Sequence, residues 1–306
     1  MGWRNTLKSI LSKPPLEEEP LSLHTSLRIG GPAEFLVFPS NLRELQEILK
    51  LVSRYEIPFG VIGKGTNLLV RDGGVRGILI NISNLCSGFQ FTGINVKSGA
   101  GVPLPLLARA AINRGLQGLE FAIGIPGSVG GAIYMNAGAF GYSIGALLQK
   151  VVCLDYKGNL REYSKDRIVF SYRYSSLQEE KIIILQAVLT LSEGEREELL
   201  LSAKRMQKER RLKQPSLPSA GSIFRNPPGY AAGYLIEQTG LKGMTVGGAQ
   251  ISTKHANFIV NKDNATARDV LALIGIIREK VKESFNINLE LEIEIIGENG
   301  HEQGEN

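Results

Sequence analysis

Between residues 41 and 58, "NLRELQEILKLVSRYEIP", apolar residues recur at 42, 45, 48, 49 and 52. That spacing lines one face of an α-helix, and Asn41 is placed to cap its first turn. The segment before it, "SLRIGGPAEFLVFPS", reads as strand, glycine turn and strand; the one after it, "FGVIGKGTNLLV", reads as a short strand, a glycine turn and a second strand. Together they predict a βαβ unit.

From "GGVRGILINIS" to "LQAVLTLSEG" short β-branched runs predict strands, interrupted by one helix, "PLPLLARAAINRG", that opens with prolines and stops at Gly115. "EGEREELLLSAKRMQKERRLKQP" predicts a long charged helix ending before Pro215. Beyond it, "AAGYLIEQTG" and "TARDVLALIGIIREKVKESF" carry helical spacing, and "HANFIVN" and "LELEIEIIG" read as strands. The first twenty residues read as a short helix followed by an acidic, proline-bounded tether. The pattern is α+β, with no internal repeat.

Composition narrows the picture in three places. With 306 residues, 43% hydrophobic and 21% charged, the chain is globular and long enough for two or three domains. Its 35 glycines exceed the usual share of roughly 7%, and they cluster, which suggests backbone pressed against a ligand or another backbone. A net charge of +5 is compatible with nucleic acid or with a polyphosphate-bearing small molecule. The one dense basic run, residues 203–215, reads as a solvated helix face, and the sparse aromatics argue against a single-strand stacking platform.

Cys86 and Cys153 fit no zinc or C-x-x-C spacing and read as two reduced core thiols. No metal site is expected. The N-terminal apolar run is too short for a signal peptide, and no stretch approaches eighteen apolar residues, so a cytoplasmic protein without membrane insertion is expected.

Three segments carry candidate chemistry. "GKGTN", Gly63 to Asn67, could cradle a phosphate with its backbone N–H groups, or simply make a tight hairpin turn. "GLEFAIGIPGSVGGAIYMNAGAFG", 118–141, interleaves glycine with apolar residues over a length beyond any turn; a flat ligand against the backbone or a glycine-rich sheet corner would explain it. In "SLPSAGSIFRNPPG", Ser222 has the surroundings of a turn residue and no G-x-S-x-G elbow. If Ser222 acts chemically, it does something other than attack a carbonyl.

These blocks, with "SYRYS" at 171–175, "GLKGMTVGGAQISTKHANFIVN" at 240–261 and "LELEIEIIG" at 289–297, resemble the UDP-N-acetylenolpyruvoylglucosamine reductase family, in order from about Thr25 to Gly297. The resemblance implies a two-part FAD-binding region of the vanillyl-alcohol-oxidase, or PCMH-like, type and a C-terminal α+β substrate-binding domain. The expected division is an N-terminal extension (1–20), FAD-binding subdomains at 21–80 and 81–195, a connecting helix (196–214) and a substrate domain (215–306). It further implies non-covalent FAD, NADPH as reductant, and UDP-N-acetylglucosamine enolpyruvate as the substrate reduced to UDP-N-acetylmuramate for peptidoglycan. No nucleic-acid partner is expected.

Residue by residue, the resemblance places Ser222 as the proton donor, a role in which an unactivated hydroxyl suffices because the acceptor is a carbanion. Arg173 falls on the arginine that faces the substrate carboxylate, and Glu292 on the family's catalytic glutamate. On pattern alone Arg173 would be a surface arginine on a strand, and Glu292 part of a solvated strand face. The resemblance implies flavin contacts at Gly63, Gly65, Thr66, Asn67 and Leu68 in the first glycine turn. In the second stretch it implies them at Gly124, Pro126, Gly127, Ser128, Gly131, Asn136 and Gly138. Lys213, Asn226 and His255 are expected at the substrate, with a structural histidine an equal reading of His255.

Thr66 stands where serine is commoner, which keeps the hydroxyl. The interval between Arg173 and Ser222 has no room for the inserted tyrosine-bearing loop of one branch, so the chain is similar to the shorter, second type. The rivals are another oxidase or dehydrogenase of the same flavin fold, and a nucleotide- or nucleic-acid-binding protein using the 203–215 helix. A flavin absorption band separates the last from the others.

Overall fold

The computed structural model describes residues 2–300, in two units that each thread the chain more than once. One comprises the segment up to Leu16, Leu36–Lys64 and Ile78–Arg210; the other comprises Glu17–Phe35, Gly65–Gly77 and the chain from Arg211 onward.

In the first unit the amphipathic helix forms at Leu42–Tyr55, and Asn41 Oδ1 accepts from Glu44 N at 2.9 Å, closing its first turn as expected. Leu45, Ile48, Leu49 and Val52 are the buried face. The strand that follows, Phe59–Ile62, pairs in parallel with Ile78–Asn81. A five-stranded antiparallel sheet has the order Leu160–Ser164, Leu148–Asp155, Ile182–Thr190, Asn95–Gly99, Phe89–Thr92. Its inward residues pack with the helix Leu104–Asn113 around Phe121, Val129, Ile133 and Val151. That helix ends as its sequence requires: Gly115 takes φ +69, and its N–H closes on Ile112 O at 3.0 Å. The charged helix, Arg196–Lys213, turns only Leu199, Ala203 and Met206 fully inward, so most of its basic run is a solvated face.

In the second unit the helix Ala267–Phe285 begins with a complete capping box between Thr266 and Asp269. It packs with the helix Ala232–Gln238 and a three-stranded antiparallel sheet, Thr245–Val246, Ala249–Ile251 and Ile259–Asn261, around Ile223, Phe224, Leu235, Leu273 and Ile277. A separate parallel pair joins Leu68–Val70 to Glu294–Ile296. Asp72 fixes this segment further by accepting from the N–H groups of Ala267 and Arg268 at 2.8 and 3.0 Å.

Several local expectations change. The acidic tether contains a strand, Leu16–Pro20, and residues 26–31 form no strand. The turn at 63–67 is not a hairpin, because the strands on either side pair with different partners. The second region contains a further short helix, Val129–Tyr134, inside the glycine-rich stretch. Cys86 lies in a turn and is only half-buried, not a core thiol; Cys153 is buried in the sheet, and both thiols are free. Of "LELEIEIIG" only Glu294–Ile296 is strand, yet its period-two burial survives: Leu289 and Ile293 are inside and Glu290 is outside. No helix among the described residues is long and apolar enough to cross a membrane, and no cluster of three His, Cys, Asp or Glu among them is placed to hold a metal.

Candidate active site

The glycine-rich stretch folds in the first unit as a loop running into the helix Val129–Tyr134. Ser128 is its N-cap, with Oγ accepting from Gly131 N at 3.3 Å. The next two N–H groups are used internally, Val129 N on Val102 O and Gly130 N on Ala100 O, both at 2.9 Å. Glycine at 130 is a packing requirement, since a Cβ there would lie 2.7 Å from the Ala100 methyl. Glycine at 63 and 131 is different: the nearest atom to an added Cβ is the Ser128 hydroxyl, at 3.0 and 3.5 Å. The backbone around Ser128 is therefore bare on one side, a surface on which a flat or phosphate-bearing group fits.

Asn136 anchors the far end of the stretch. It is buried, takes φ +44, donates Nδ2–H to Ser171 O at 2.7 Å, and accepts from Gly145 N at 3.1 Å. Both ends of its amide are thus engaged by the chain, which ties the segment carrying Arg173 to the glycine-rich stretch. Ser175 Oγ and Gln178 Nε2 add to this by donating to Tyr134 O, each at 2.7 Å.

Arg173 is not on a strand, as the pattern suggested. It occupies the turn between Phe170–Ser171 and Tyr174–Ser175, half-buried and left-handed at φ +55. An L-residue there costs about 1–2 kcal/mol, strain of the kind that collects at functional sites. Its guanidinium lies over the Tyr172 ring at 5.1 Å and donates Nη1–H to Gly138 O at 3.1 Å.

Ser222 and Glu292 belong to the second unit, where the chain brings them together. Ile223 O accepts from Glu292 N at 2.8 Å, so the two residues flank one backbone hydrogen bond. On the other side Ile223 N donates to Asn257 O at 2.8 Å, and the Asn257 amide clasps Phe224, accepting from its N–H at 2.9 Å and donating to its carbonyl at 2.8 Å. Ile223 and Phe224 are themselves wholly buried. The backbone at Ser222 is thus locked from both edges, with Gly221 supplying φ +83 in open space. The Ser222 hydroxyl, half-exposed, makes no hydrogen bond to any described residue.

Asn67 connects the first glycine turn to this pair. Its Nδ2 donates to Glu292 O at 3.0 Å, and its own carbonyl accepts from Glu294 N at 2.9 Å. Gly65 takes φ +62 with a Cβ position 2.1 Å from His24 O, so backbone packing alone demands glycine there. Thr66 and Leu68 are half-buried beside it, while Pro126 is exposed and Gly127 and Gly124 are half-buried in the first unit.

Among the expected substrate residues, Asn226 is exposed, and its Oδ1 accepts from Ala232 N at 3.0 Å at the start of the helix Ala232–Gln238. His255 packs edge-on to Phe258 with ring centroids 4.9 Å apart, and its Nδ1 accepts from Asn257 N at 3.2 Å. Burial first, and the charge of Lys242 next, hold its pKa below the usual histidine value. Both causes favour the neutral ring, whose Nδ1 can accept this bond from the Asn257 backbone. Lys213 is exposed at the end of its helix. Arg225, which the sequence pattern did not single out, has an Nε that is sealed from solvent and unbonded among the described residues.

Comparison with known proteins gives two matched regions. Residues 33–164 match a family model described as an FAD-binding domain, and residues 213–296 match the C-terminal domain of UDP-N-acetylenolpyruvoylglucosamine reductase. The reductase of that name from Bacillus licheniformis is 45% identical over 285 residues, covering 92% of this chain and 94% of the relative. The one from Caldanaerobacter subterraneus is 45% identical over 294 residues, covering 95% and 97%. The chain belongs to the UDP-N-acetylenolpyruvoylglucosamine reductase family. A crystal structure of the Thermus caldophilus reductase superposes with a TM-score of 0.78 at 39% identity, covering 90% of this chain and 97% of that one. The protein is therefore an oxidoreductase with an FAD-binding domain and a family-specific C-terminal domain, and FAD is its cofactor. The bare backbone around Ser128 fits that group.

Proposed function

We propose that this reductase converts UDP-N-acetylglucosamine enolpyruvate to UDP-N-acetylmuramate, a peptidoglycan precursor, with NADPH as the source of electrons. Bound FAD would supply two-electron redox chemistry between NADPH and the enolpyruvyl double bond. Gly63, Ser128 and Gly131 are the residues proposed to hold it, together with the turn Gly65–Leu68 and the loop around Gly124, Pro126 and Gly127. The chain's own work is to orient the enolpyruvyl group and to move one proton.

Reduction at the vinyl carbon leaves negative charge on the carbon next to the carboxylate. Ser222 Oγ–H gives its proton to that carbon. A carbanion is basic enough to take it from an ordinary hydroxyl, so placement substitutes for activation. The observation that carries this reading is the combination at Ser222: an unbonded hydroxyl on a backbone clamped by Asn257 on one side and Glu292 on the other. Arg173 offers a permanently charged fork to the substrate carboxylate, where charge accumulates. Glu292 orients the substrate beside Ser222, and Lys213 and Asn226 face its sugar-nucleotide portion.

An anaerobic cycle tests the reading. NADPH should bleach the flavin band of the purified protein, and the enolpyruvyl sugar nucleotide should restore it faster than oxygen does. Reoxidation by oxygen but not by the enolpyruvyl compound would identify an oxidase and overturn the proposal.

A further inference from the structure

Downstream of Ser222 the chain is clamped by Asn257 and Glu292; upstream, residues 216–221 follow no helix or strand. Their course is set by contacts from distant segments of the second unit. Ser219 bridges to Val260, and Pro218 O accepts from Asn261 N at 2.9 Å. Ser219 O accepts from Ser26 Oγ at 2.7 Å, across 193 positions of chain. The backbone N–H of the same serine donates to Gly65 O at 3.0 Å, in the first glycine turn. Ser26 sits in a turn that is itself fixed: Thr25 Oγ1 donates to Ile29 O at 2.9 Å, and Arg28 N to Thr25 O at 3.1 Å. Arg28 takes φ +55 there, and Asn261 Nδ2 donates to Leu27 O and Arg28 O, both at 3.2 Å. Leu27 and Ile29 are buried in the same core as Ala220, Ile223 and Phe224.

We propose that Ser26 is a positioning residue for proton transfer, whose two bonds fix Ser222 relative to the first glycine turn. The inference rests on the proposed roles of Ser222 as proton donor and of Gly65–Leu68 in holding FAD. Reduction and protonation fall on neighbouring carbons of one substrate, so the proton donor must keep register with the turn that holds the flavin. Ala220, Gly221 and Ser222 span the interval between Ser219 and the clamped pair Ile223–Phe224, and Gly221 has open space around it. That span keeps its shape only if both ends are held. The hydroxyl of Ser26 holds the upstream end, and its backbone N–H ties that end to Gly65.

The test uses Ser26→Ala, which removes the hydroxyl and keeps the backbone bond to Gly65 O, and Ser26→Thr, which restores the donor, both as holoenzymes. In anaerobic stopped-flow, NADPH should reduce the flavin of Ser26→Ala at close to the wild-type rate. The enolpyruvyl sugar nucleotide should reoxidise it about 5- to 10-fold more slowly, and Ser26→Thr should recover most of that loss. Two further readouts separate positioning from general stability. In a Ser222→Ala background Ser26→Ala should cause no additional slowing, because the group it positions is gone. Hydrogen exchange, which does not depend on turnover, should show protection at the Asn261 amide falling about threefold or more, while the Ser26 amide stays within about twofold of wild type. Reoxidation of Ser26→Ala at the wild-type rate, an equal slowing in both backgrounds, or unchanged protection at Asn261 overturns the inference. Loss of flavin from Ser26→Ala would confine Ser26 to supporting the glycine turn and overturns it as well. A Ser222→Ala variant that reoxidises normally would instead sink the proposed proton donation, and this inference with it; a slow Ser222→Ala beside a normal Ser26→Ala removes this inference alone.

Discussion

Asn257→Ala is the perturbation that most directly reads the clamp behind Ser222. The native amide satisfies both the N–H and the carbonyl of Phe224, at 2.9 and 2.8 Å, and Phe224 is 0% and Asn257 4% exposed. Truncation orphans two buried backbone groups at about 1–3 kcal/mol each, so the second unit should lose roughly 2–6 kcal/mol. The backbone bond from Ile223 N to Asn257 O does not depend on the side chain and should remain. Hydrogen exchange at the Phe224 amide is the suitable assay, because it reports this segment alone. Even the low end, about 2 kcal/mol, lowers protection roughly 30-fold. Asn257→Asp should do no better than alanine, since a carboxylate can still accept from Phe224 N–H but faces the Phe224 carbonyl with no proton to give. Turnover should fall in both variants while flavin content stays near normal. Protection at Phe224 within about threefold of wild type in the alanine variant would refute the clamp, since that corresponds to less than ~1 kcal/mol.

Two further predictions follow from single sites. Gly221→Ala meets no steric neighbour within 4 Å, so its cost is the left-handed backbone alone, about 1 kcal/mol, and it should slow substrate-driven flavin reoxidation more than flavin reduction; equal effects on both half-reactions would contradict it. His255 has its folded pKa pushed below the ordinary histidine value of 6.5, so it favours folding while neutral: its contribution is complete above about pH 6.5 and is lost as pH falls through that value toward the folded pKa. Urea titrations from pH 7.5 to 5 should show declining stability that His255→Gln flattens, and an unchanged slope in the variant would remove His255 as its source.

What the sequence disclosed and what it hid have physical causes. The helix at 42–55, its Asn41 cap and the Gly115 stop are legible because they depend on neighbours within four residues. The turn at 63–67 imitates a hairpin in the sequence because Leu68–Val70 pairs with Glu294–Ile296, a parallel contact encoded by nothing local. Arg173 is hidden for a related reason: its left-handed turn conformation is imposed by Asn136 and Tyr134, which hold Ser171 and Ser175 from a distant segment. At Glu292 the alternation predicts the burial pattern but cannot select one glutamate of three; only the family resemblance does that. Asn257 stands in an unremarkable "HANF" and gains its importance from Phe224, thirty-three residues earlier in the chain.

Proton donation by Ser222 is the central step of the proposed chemistry. Anaerobic stopped-flow on Ser222→Ala separates that step from everything else the site does. NADPH should reduce the flavin of the variant at close to the wild-type rate, while the enolpyruvyl sugar nucleotide should reoxidise it more slowly by on the order of 10² or more. Reoxidation at close to the wild-type rate would contradict this role and remove Ser222 from the mechanism.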